Sequence, residues 1–447
     1  MSHVFRRWTV ASTDTEMPAE PELARAPRPN CFTPIAPATL RGSVLTDSRV
    51  ESQILKTLLA AGTLTSRAVA RATALPGRSV LGTLTRFKLE QLVFYRDSAA
   101  MGDFEYSLTD AGRTRARLYM EECAYVGPAP VTLEAYIDSV GKQGITTVQP
   151  QREDLERAFR DLIIDPSTFA RLGPAINSGR GLFLYGFPGN GKTSIAERIT
   201  DCFGDDVWIP YAISCGGEII ALFDPESHQM AAPSGTGEAG AGPIDRRWVQ
   251  IRRPTIVVGG ELTMDELDLF QNPRTNVTEA SLQMKSNTGT LVIDDFGRQR
   301  MSPIELLNRW IVPLEKRYDY LALANGKKIR VPFDQLIIFS TNLEPKDLVD
   351  EAFLRRIPYK INVVDPTEAE FRQLFDMLAP KLGVELDAGA VDHLVERHYR
   401  SVGRPFRCCQ PRDLLLQIRN RAAYENEPAV ASTQAFDQAC ENYFAVM

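Results

Sequence analysis

The sequence lacks long hydrophobic runs. No apolar stretch approaches the roughly 20 residues that a membrane-spanning helix needs, so we expect no membrane partner. The first residues, MSHVFRRWTVAS, lack the apolar centre of a secretory signal. Cysteine is also scarce, and its total of 7 is odd, which favours a reducing compartment over a disulfide framework. Together these absences predict a cytoplasmic protein.

The side chains that usually bind transition metals, those of His and paired Cys, are few. The chain has 4 histidines, and Cys408 and Cys409 are adjacent, a spacing unlike that of paired zinc ligands. His393 and His398 have no Cys or carboxylate at ligand spacing along the chain. We therefore predict no metal cluster at the cysteines and expect both histidines to be ordinary helix residues.

Length and charge suggest more than one domain. A chain of 447 residues can form two or three domains, each with its own core. The formal net charge of −6 hides an asymmetry, because residues 41–120 hold twelve Lys or Arg against seven Asp or Glu. A basic segment on an acidic remainder is a weak indication of nucleic-acid binding.

The N-terminal third predicts an arm followed by a small domain. Residues 1–40 are rich in Pro, Ala and charge and show no helical or strand period, which predicts a disordered arm. Helical spacing begins at Asp47, a second helix begins near Thr65, and a third covers SVLGTLTRFKLEQL. Strand-like VFYR and FEYSL follow, and Thr109 caps a further helix. Residues 41–125 therefore predict a winged-helix domain, and LTDAGR resembles the corresponding turn of bacterial winged-helix regulators.

A winged helix places its third helix in the major groove of DNA. The residues expected on the exposed face of that helix are Arg78, Ser79, Thr83, Arg86 and Lys88. Winged helices also serve as protein-docking or oligomerisation modules, and the charge surplus does not exclude that role. The predicted partner of this domain is therefore DNA or a protein.

A glycine-rich loop follows a short apolar strand. The run LFLY, residues 182–185, leads directly into GFPGNGKT, residues 186–193. Glycines allow backbone N–H groups to converge on phosphate oxygens, and a helix that begins at the same place adds its positive end. We expect Lys192 to neutralise the β- and γ-phosphates of a nucleotide and the Thr193 hydroxyl to bind Mg²⁺. The loop residues predicted to contact the nucleotide are Gly186, Pro188, Gly189, Asn190, Gly191, Lys192, Thr193 and Ser194.

Two further apolar strands end in polar residues. TLVIDDFG, residues 290–297, places Asp294 at the edge of a strand, where it would hold Mg²⁺ through its water shell. Asp295 would orient or deprotonate the attacking water. DQLIIFSTN ends at Asn342, which would lie between the two earlier motifs and sense the γ-phosphate. A strand that ends in a polar turn is common by itself, but it is unusual beside a loop of this kind.

This ordered series resembles the AAA+ ATPases, over residues 131–447. The resemblance assigns the loop to Walker A, Asp294 and Asp295 to Walker B, and Asn342 to sensor 1. It assigns Arg412 in QPRDLLLQI to sensor 2, at the nucleotide. It implies an α/β P-loop NTPase core with a parallel sheet over residues 131–365 and a helical lid over 366–447. The implied reaction is hydrolysis of ATP to ADP and phosphate, with ATP and Mg²⁺ bound.

The same resemblance implies an assembly. In DEAFLRRI it assigns Arg356, with Arg355 as second choice, to an arginine finger, which stabilises transition-state charge on a nucleotide held by a neighbouring subunit. A homo-oligomer follows, typically a hexameric ring or a helical assembly. Both arginines could instead form a surface salt-bridging pair. One residue departs from the family pattern, since Asp295 is one methylene shorter than the usual Glu, which predicts slower hydrolysis or a bridging water.

Two insertions resemble those of the MoxR-like branch. Asn325-Gly326 lies between alternating apolar residues, which predicts a β-hairpin before the sensor 1 strand. The basic tip of this hairpin would face a channel or solvent. VWIPYAIS, residues 207–214, is predicted to be the second strand of the core. WVQIRRPTIVVGGELTMDEL, residues 248–267, is predicted to form the pair of strand-like segments of a helix-2 insert.

Two functions are compatible with these motifs. The first is an ATPase that remodels an unidentified protein or nucleoprotein client, recruited through the winged helix. The second is a DNA-binding switch in which ATP occupancy sets the oligomeric state and turnover is incidental. A small-molecule P-loop kinase would not explain why Asn342, the arginine pair and Arg412 follow in order.

Overall fold

The structure is a computed structural model that describes residues 32–37, 45–204, 206–232, 243–348 and 351–445. Most of the predicted disordered arm lies outside these residues. Residues 32–37 of that arm are ordered, because they form β-type hydrogen bonds with the main chain: Ala36 N donates to Pro243 O at 2.7 Å and Asp245 N donates to Pro34 O at 2.9 Å. The Phe32 ring also packs 5.4 Å from that of Trp248.

The N-terminal module consists of four helices and a three-stranded antiparallel sheet. Thr46, Thr65 and Thr109 each cap a helix by accepting a hydrogen bond from a backbone N–H. Its core is formed by apolar residues from all four helices and from the sheet. The elements are α1 (Asp47–Ala61), β1 (Thr63–Thr65), α2 (Ser66–Thr73), α3 (Gly77–Leu89), β2 (Val93–Ala99), β3 (Asp103–Leu108) and α4 (Asp110–Glu122).

The central region is an α/β unit. Its elements, in chain order, are β4 (Val131–Thr132), α5 (Leu133–Gln143), α6 (Arg152–Ala158), α7 (Pro166–Asn177), β5 (Leu182–Tyr185), α8 (Lys192–Ile199), β6 (Val207–Pro210), β7 (Ala212–Cys215), β8 (Glu218–Ala221), β9 (Trp248–Ile251), β10 (Thr255–Val258), β11 (Phe270–Gln271), β12 (Thr278–Glu279), α9 (Leu282–Lys285), β13 (Thr290–Ile293), α10 (Pro303–Lys316), β14 (Tyr318–Ala322), β15 (Lys328–Pro332), β16 (Leu336–Thr341), α11 (Pro345–Leu348), α12 (Glu351–Leu354) and β17 (Tyr359–Asn362). Its main sheet has the order β10-β13-β16-β5-β17, and every neighbouring pair is parallel. This is the α/β fold with a parallel sheet that the sequence predicts.

Helices cover both faces of this sheet, so its inner strands are continuously apolar. Leu182 and Leu184 of β5 face a cluster shared with α7 and α8. Phe183 faces the opposite cluster, which contains Trp310 of α10. The alternation follows from the two-residue period of a strand. Because these strands are parallel, the carboxyl ends of β13, β16 and β5 lie along one edge of the sheet.

The predicted second core strand and the predicted insert are wrong. Residues 255–258 do not form an insert strand, because β10 is the edge strand of the parallel sheet and pairs with β13. β6, in the segment predicted as the second core strand, pairs instead with β9 in an antiparallel ribbon. The second strand of the core is therefore β10, and the inserted strands β6 and β9 precede it in the chain. The four-residue apolar runs are similar in composition, so the local pattern does not show which run joins which sheet.

A second β-rich layer lies beside the core. A five-stranded sheet of order β11-β12-β8-β7-β4 and the β6–β9 ribbon share one apolar cluster with the β14–β15 hairpin. The hairpin predicted around Asn325 is present, with Ala322 opposite Lys328. Its tip is anchored, because Asn325 Nδ2 donates to Gly216 O at 3.0 Å and the Asn325 N–H donates to Glu218 at 3.2 Å.

The C-terminal region is a helical bundle with its own core. Its elements are α13 (Glu368–Leu382), β18 (Glu385–Leu386), α14 (Ala390–Leu394), a π-helix (Val395–Arg400), α15 (Cys409–Glu425), β19 (Val430–Ala431) and α16 (Thr433–Tyr443). Two parallel two-residue strands, β18 and β19, join its loops. Within the described ranges of the chain, no helix is both long and apolar enough to cross a membrane.

Candidate nucleotide-binding site

The glycine-rich loop connects β5 to α8 and depends on glycine at two points. Gly186 has φ of 137°, and a Cβ there would lie 2.4 Å from Val363 O. Gly189 has φ of 84°, and a Cβ there would lie 2.6 Å from Cys409 Sγ. A side chain at either position would be strained and would collide with a neighbouring segment. Gly191 is the residue before α8, so the loop ends at the positive pole of that helix.

Lys192 is the first residue of α8, and its side chain folds back onto the loop. Its Nζ donates to Gly186 O at 3.0 Å, to Phe187 O at 2.9 Å and to Asn342 Oδ1 at 2.7 Å. Burial lowers the pKa of Lys192, whereas the charges of Asp294 and Asp295 act in the opposite direction. The ammonium group is thus held at the mouth of the loop, in the position from which a lysine contacts the phosphates of a nucleotide.

Thr193 and Asp294 join the loop to the neighbouring strand end. Thr193 Oγ1 donates to Asp294 Oδ2 at 2.9 Å. Asp294 directly follows β13, and its N–H donates to Val258 O at 2.8 Å, which fixes the point where its side chain leaves the sheet. A hydroxyl and a carboxylate at this separation provide the oxygen ligands that Mg²⁺ prefers.

Asp295 and Asn342 complete the cluster. Asn342 Nδ2 donates to Asp295 Oδ1 at 3.1 Å, while the Oδ1 atom of Asn342 accepts from Lys192. Asn342 lies between the loop and Asp295 because β16 lies between β5 and β13. Asp295 has φ of 49°, in the left-handed region that Asp tolerates better than most residues. That backbone conformation is a physical reason for a short acid at this position.

The remaining loop residues have different surroundings. Asn190 is buried, and its Nδ2 donates to Asp365 Oδ1 at 2.6 Å. Its side chain therefore ties the loop to the segment after β17. Pro188 is exposed and Ser194 is half-buried. These three residues shape the loop or flank it, whereas Lys192 and Thr193 carry its polar groups.

The C-terminal bundle meets the loop through a residue that the sequence reasoning missed. The Arg407 guanidinium lies 4.4 Å from the centroid of the Phe187 ring and is ion-paired with Asp365. Two residues later, the Cys409 N–H donates to Gly189 O at 2.8 Å. An arginine in a loop before a helix is common, so no local signal distinguishes Arg407.

Arg412, predicted as the nucleotide-contacting arginine, has an acidic neighbour as its partner in the structure. It is in the first turn of α15, its side chain is 60% exposed, and its guanidinium bonds to the adjacent Asp413 at 3.3 Å. Arg407, five residues earlier, is the arginine of this segment that reaches the loop.

The two candidate finger residues also differ. Arg356, the first choice from the sequence, donates through Nε to Glu315 Oε1 of α10 at 2.7 Å. Arg355 is exposed. Of the two, Arg355 is therefore the better placed to reach a neighbouring molecule, because Arg356 already has an acidic partner within its own chain.

The predicted nucleic-acid contacts lie on or beside the outer face of α3. Arg78 is exposed, while Ser79 and Thr83 are half-buried, and Thr83 Oγ1 donates to Ser79 O at 3.0 Å. Arg86 forms an ion pair with Glu51 at 3.4 Å. Lys88 Nζ lies 3.4 Å from the centroid of the Tyr95 ring. Arg86 and Lys88 thus have partners within the module, and Arg78 has the least constrained side chain.

A comparison with protein families gives one match, which is confined to the C-terminal bundle. A domain of unknown function, DUF8689, matches residues 367–442, which run from the cap of α13 into α16. A sequence comparison with curated proteins gives no match.

Comparison with solved structures gives loose likenesses to two bacterial proteins. NtrX from Brucella abortus is 13% identical with a TM-score of 0.39, and the match covers 62% of this chain and 55% of NtrX. The RuvB Holliday junction branch migration motor of Thermotoga maritima is 15% identical with a TM-score of 0.34, over 65% of this chain and 69% of RuvB. This chain therefore spans little more than half of NtrX. At these TM-scores the likenesses support no argument about this protein, and the description of the site depends on the sheet order and the loop.

Proposed function

We propose that this protein is an Mg²⁺-dependent AAA+ ATPase whose turnover remodels a protein or nucleoprotein client. One observation carries the ATPase proposal. The side chains of Lys192, Asn342 and Asp295 form a continuous hydrogen-bonded chain, and Thr193 bonds Asp294 beside it. All five lie at or just beyond three neighbouring strand ends of a parallel sheet, which is where open α/β sheets bind ligands.

The residues present fit a nucleoside triphosphate. The loop carries backbone N–H groups, a helix N-terminus and the Lys192 ammonium, all of which favour anionic phosphates. Thr193 and Asp294 would hold Mg²⁺, which supplies charge neutralisation to the phosphate oxygens when bound. Asp295 would accept a proton from the attacking water or orient it, and Asn342 holds that carboxylate in place.

The C-terminal bundle is proposed to act as the lid. Arg407 and Cys409 contact the loop directly, so a change in loop conformation on nucleotide binding would be transmitted to the bundle. We assign to Arg407 the nucleotide-sensing position that the sequence motif suggested for Arg412. A positive charge near the phosphates is the physical requirement, and Arg407 is close enough to Lys192 to influence its pKa.

A neighbouring subunit is proposed to complete the site. The exposure of Arg355 and the ion pair of Arg356 with Glu315 reverse the order of preference between the two arginines. An assembly of identical subunits, in a ring or a helix, would place Arg355 against the next nucleotide. Contacts of this kind are worth about 10³–10⁵ in turnover.

The N-terminal module is proposed to be a winged helix that recruits the machine to DNA or to a protein. The order of three helices and a β2–β3 hairpin supports it. The ATP-controlled DNA-binding switch remains the second candidate. It is favoured by the same module and by the short acid at position 295.

Nucleotide binding and hydrolysis by the full chain test the core of the proposal. Lys192→Ala should abolish binding of a fluorescent ATP analogue, because it removes the buried cation of the loop. Lys346→Ala is a matched control, since Lys346 is 70% exposed and pairs with Glu344. Equal affinity in the wild type and Lys192→Ala would contradict the site.

Subunit mixing tests the assembly. Arg355→Ala should lose turnover but keep nucleotide affinity, as should any variant that lacks only the finger. Mixing it with Lys192→Ala subunits should restore part of the activity, because some interfaces then join an intact loop to an intact Arg355. A wild-type protein that stays monomeric with ATP and Mg²⁺, and hydrolyses ATP equally well after both Arg355 and Arg356 become Ala, would overturn the shared site.

The two candidate functions, remodelling motor and DNA-binding switch, differ in whether they need a client and hydrolysis. Asp295→Asn loaded with ATP should trap a remodelled client in a pulldown from the native host, and a motor should lose its cellular function. A switch should retain function with this variant, because occupancy is preserved. DNA binding that depends on ATP but not on hydrolysis would favour the switch.

A further inference from the structure

Two histidines and a carboxylate converge in the C-terminal bundle, away from the nucleotide-binding loop. His393 Nε2 lies 2.9 Å and His398 Nε2 lies 2.6 Å from the same atom, Asp437 Oδ1. The carboxylate comes from α16, about forty residues further along the chain. All three potential ligand atoms lie within 4.8 Å of one another. The sequence prediction that both histidines are ordinary helix residues overlooked this partner, because it searched only neighbouring positions.

The helix carrying the histidines is wound in the form needed to bring them together. In an α-helix, residues five apart point in directions that differ by about 140°. Residues 395–400 form a π-helix, in which the Ser401 N–H donates to Glu396 O at 3.1 Å. The wider turn brings residues five apart close to one face, so both rings reach Asp437. Such π segments occur frequently at functional sites.

The three side chains lie in a setting that suits metal ligands. The three side chains are between 18% and 29% exposed, which leaves a path for an ion and room for water. Arg397 contacts the second oxygen at 3.4 Å, and its side chain is 63% exposed and can turn into solvent.

We propose that His393, His398 and Asp437 form a binding site for a divalent transition-metal ion, with Zn²⁺ as its representative. Imidazole and carboxylate ligands suit this class of ion, and three protein ligands with an open position are a common zinc arrangement. The ion would replace the two N–H to carboxylate hydrogen bonds and cross-link the π-helix to α16. It would thereby stabilise the bundle whether or not the chain hydrolyses ATP.

The other described histidine offers no competing site. His228 is buried, its Nδ1 accepts from the Asp224 N–H at 3.1 Å, and its Nε2 lies 2.9 Å from Lys285 O. Both of its ring nitrogens are engaged, so among the histidines that the structure describes the pair in the bundle is the one open to zinc.

The test uses the full chain freed of metal with a chelator and then kept in excess Mg²⁺, which occupies sites built only from oxygen ligands. Zn²⁺ titration by calorimetry should give one site per chain, and Zn²⁺ should raise the melting temperature. Asp437→Asn should weaken binding at least about tenfold, since even outer-shell changes cost 10–100-fold. Asp392→Asn is the matched control, because Asp392 is 73% exposed and pairs with Arg372 instead.

Wild-type measurements keep the proposal testable if the variants unfold. Co²⁺ should produce visible absorption bands, and Zn²⁺ should shift the ring NMR signals of His393 and His398 but not those of His228. Absence of saturable Zn²⁺ binding, or equal binding by the wild type and a folded Asp437→Asn variant, would overturn the site. The cluster would then be only a hydrogen-bonded contact between helices. Neither result bears on the proposed ATPase activity, which depends on separate residues.

Discussion

Replacing Asp295 by Asn should separate nucleotide binding from hydrolysis. The substitution keeps the size of the side chain and keeps an oxygen that can accept from Asn342 Nδ2, a contact of 3.1 Å in the structure. Asn also tolerates the φ of 49° at this position. Because the residue is exposed, we expect the free energy of unfolding to change by less than about 0.5 kcal/mol.

The effect on turnover should be much larger. A positioned base contributes about 10²–10⁴ to a rate, which corresponds to roughly 3–5 kcal/mol at 1.36 kcal/mol per tenfold. Asp295→Asn should therefore lower kcat by about 10²–10⁴, while the affinity for ATP stays within about twofold. The removed group acts on the water and not on the bound phosphates.

The assay is steady-state phosphate release together with equilibrium binding of a fluorescent ATP analogue. Glu344→Gln is the control, since this nearby carboxylate is 57% exposed and pairs with Lys346. Its kcat should be unchanged. If Asp295→Asn retains kcat within threefold of the wild type, Asp295 is not the group that activates water and the catalytic assignment is wrong.

Three further outcomes follow from the structure. Gly189→Ala should weaken ATP binding measured with the same analogue, because its φ of 84° disfavours a side chain and the new Cβ would lie 2.6 Å from Cys409 Sγ; unchanged affinity would contradict this loop geometry. Trp310→Ala should lower the free energy of unfolding by about 3–5 kcal/mol in urea titrations, since Trp310 of α10 is fully buried against the sheet. Burial raises the pKa of Asp334, so its ionisation opposes folding, and stability should fall as pH rises from the ordinary Asp value through the raised one. Asp334→Asn should remove that part of the pH dependence, and identical pH profiles would show that Asp334 does not titrate as described.

Local patterns were sufficient for the elements that carry the site. The run LFLY is a buried strand, the loop after it needs glycine for positive φ, and Lys192 begins a helix. The same holds for Asp294 after β13 and Asn342 after β16. Each of these features involves residues within about ten positions of one another, so hydrophobic period and backbone preference determine them.

Features that depend on distant partners were not predictable in the same way. Residues 255–258 join the parallel sheet because they hydrogen-bond to β13, and nothing in the four residues identifies that partner. The sequence ranks Arg356 above Arg355 as the finger, yet in the structure Arg356 is paired with Glu315 and Arg355 is exposed.

The sequence by itself determined a glycine-rich loop, two carboxylates and an asparagine at the ends of apolar strands, because these follow from short-range geometry. Only the tertiary structure decided that Arg407 lies over Phe187 of the loop, and that Asp437 meets two histidines across the bundle. The physical reason is that the bend of a loop and the winding of a π-helix are set by packing against distant segments, and no local pattern records that packing.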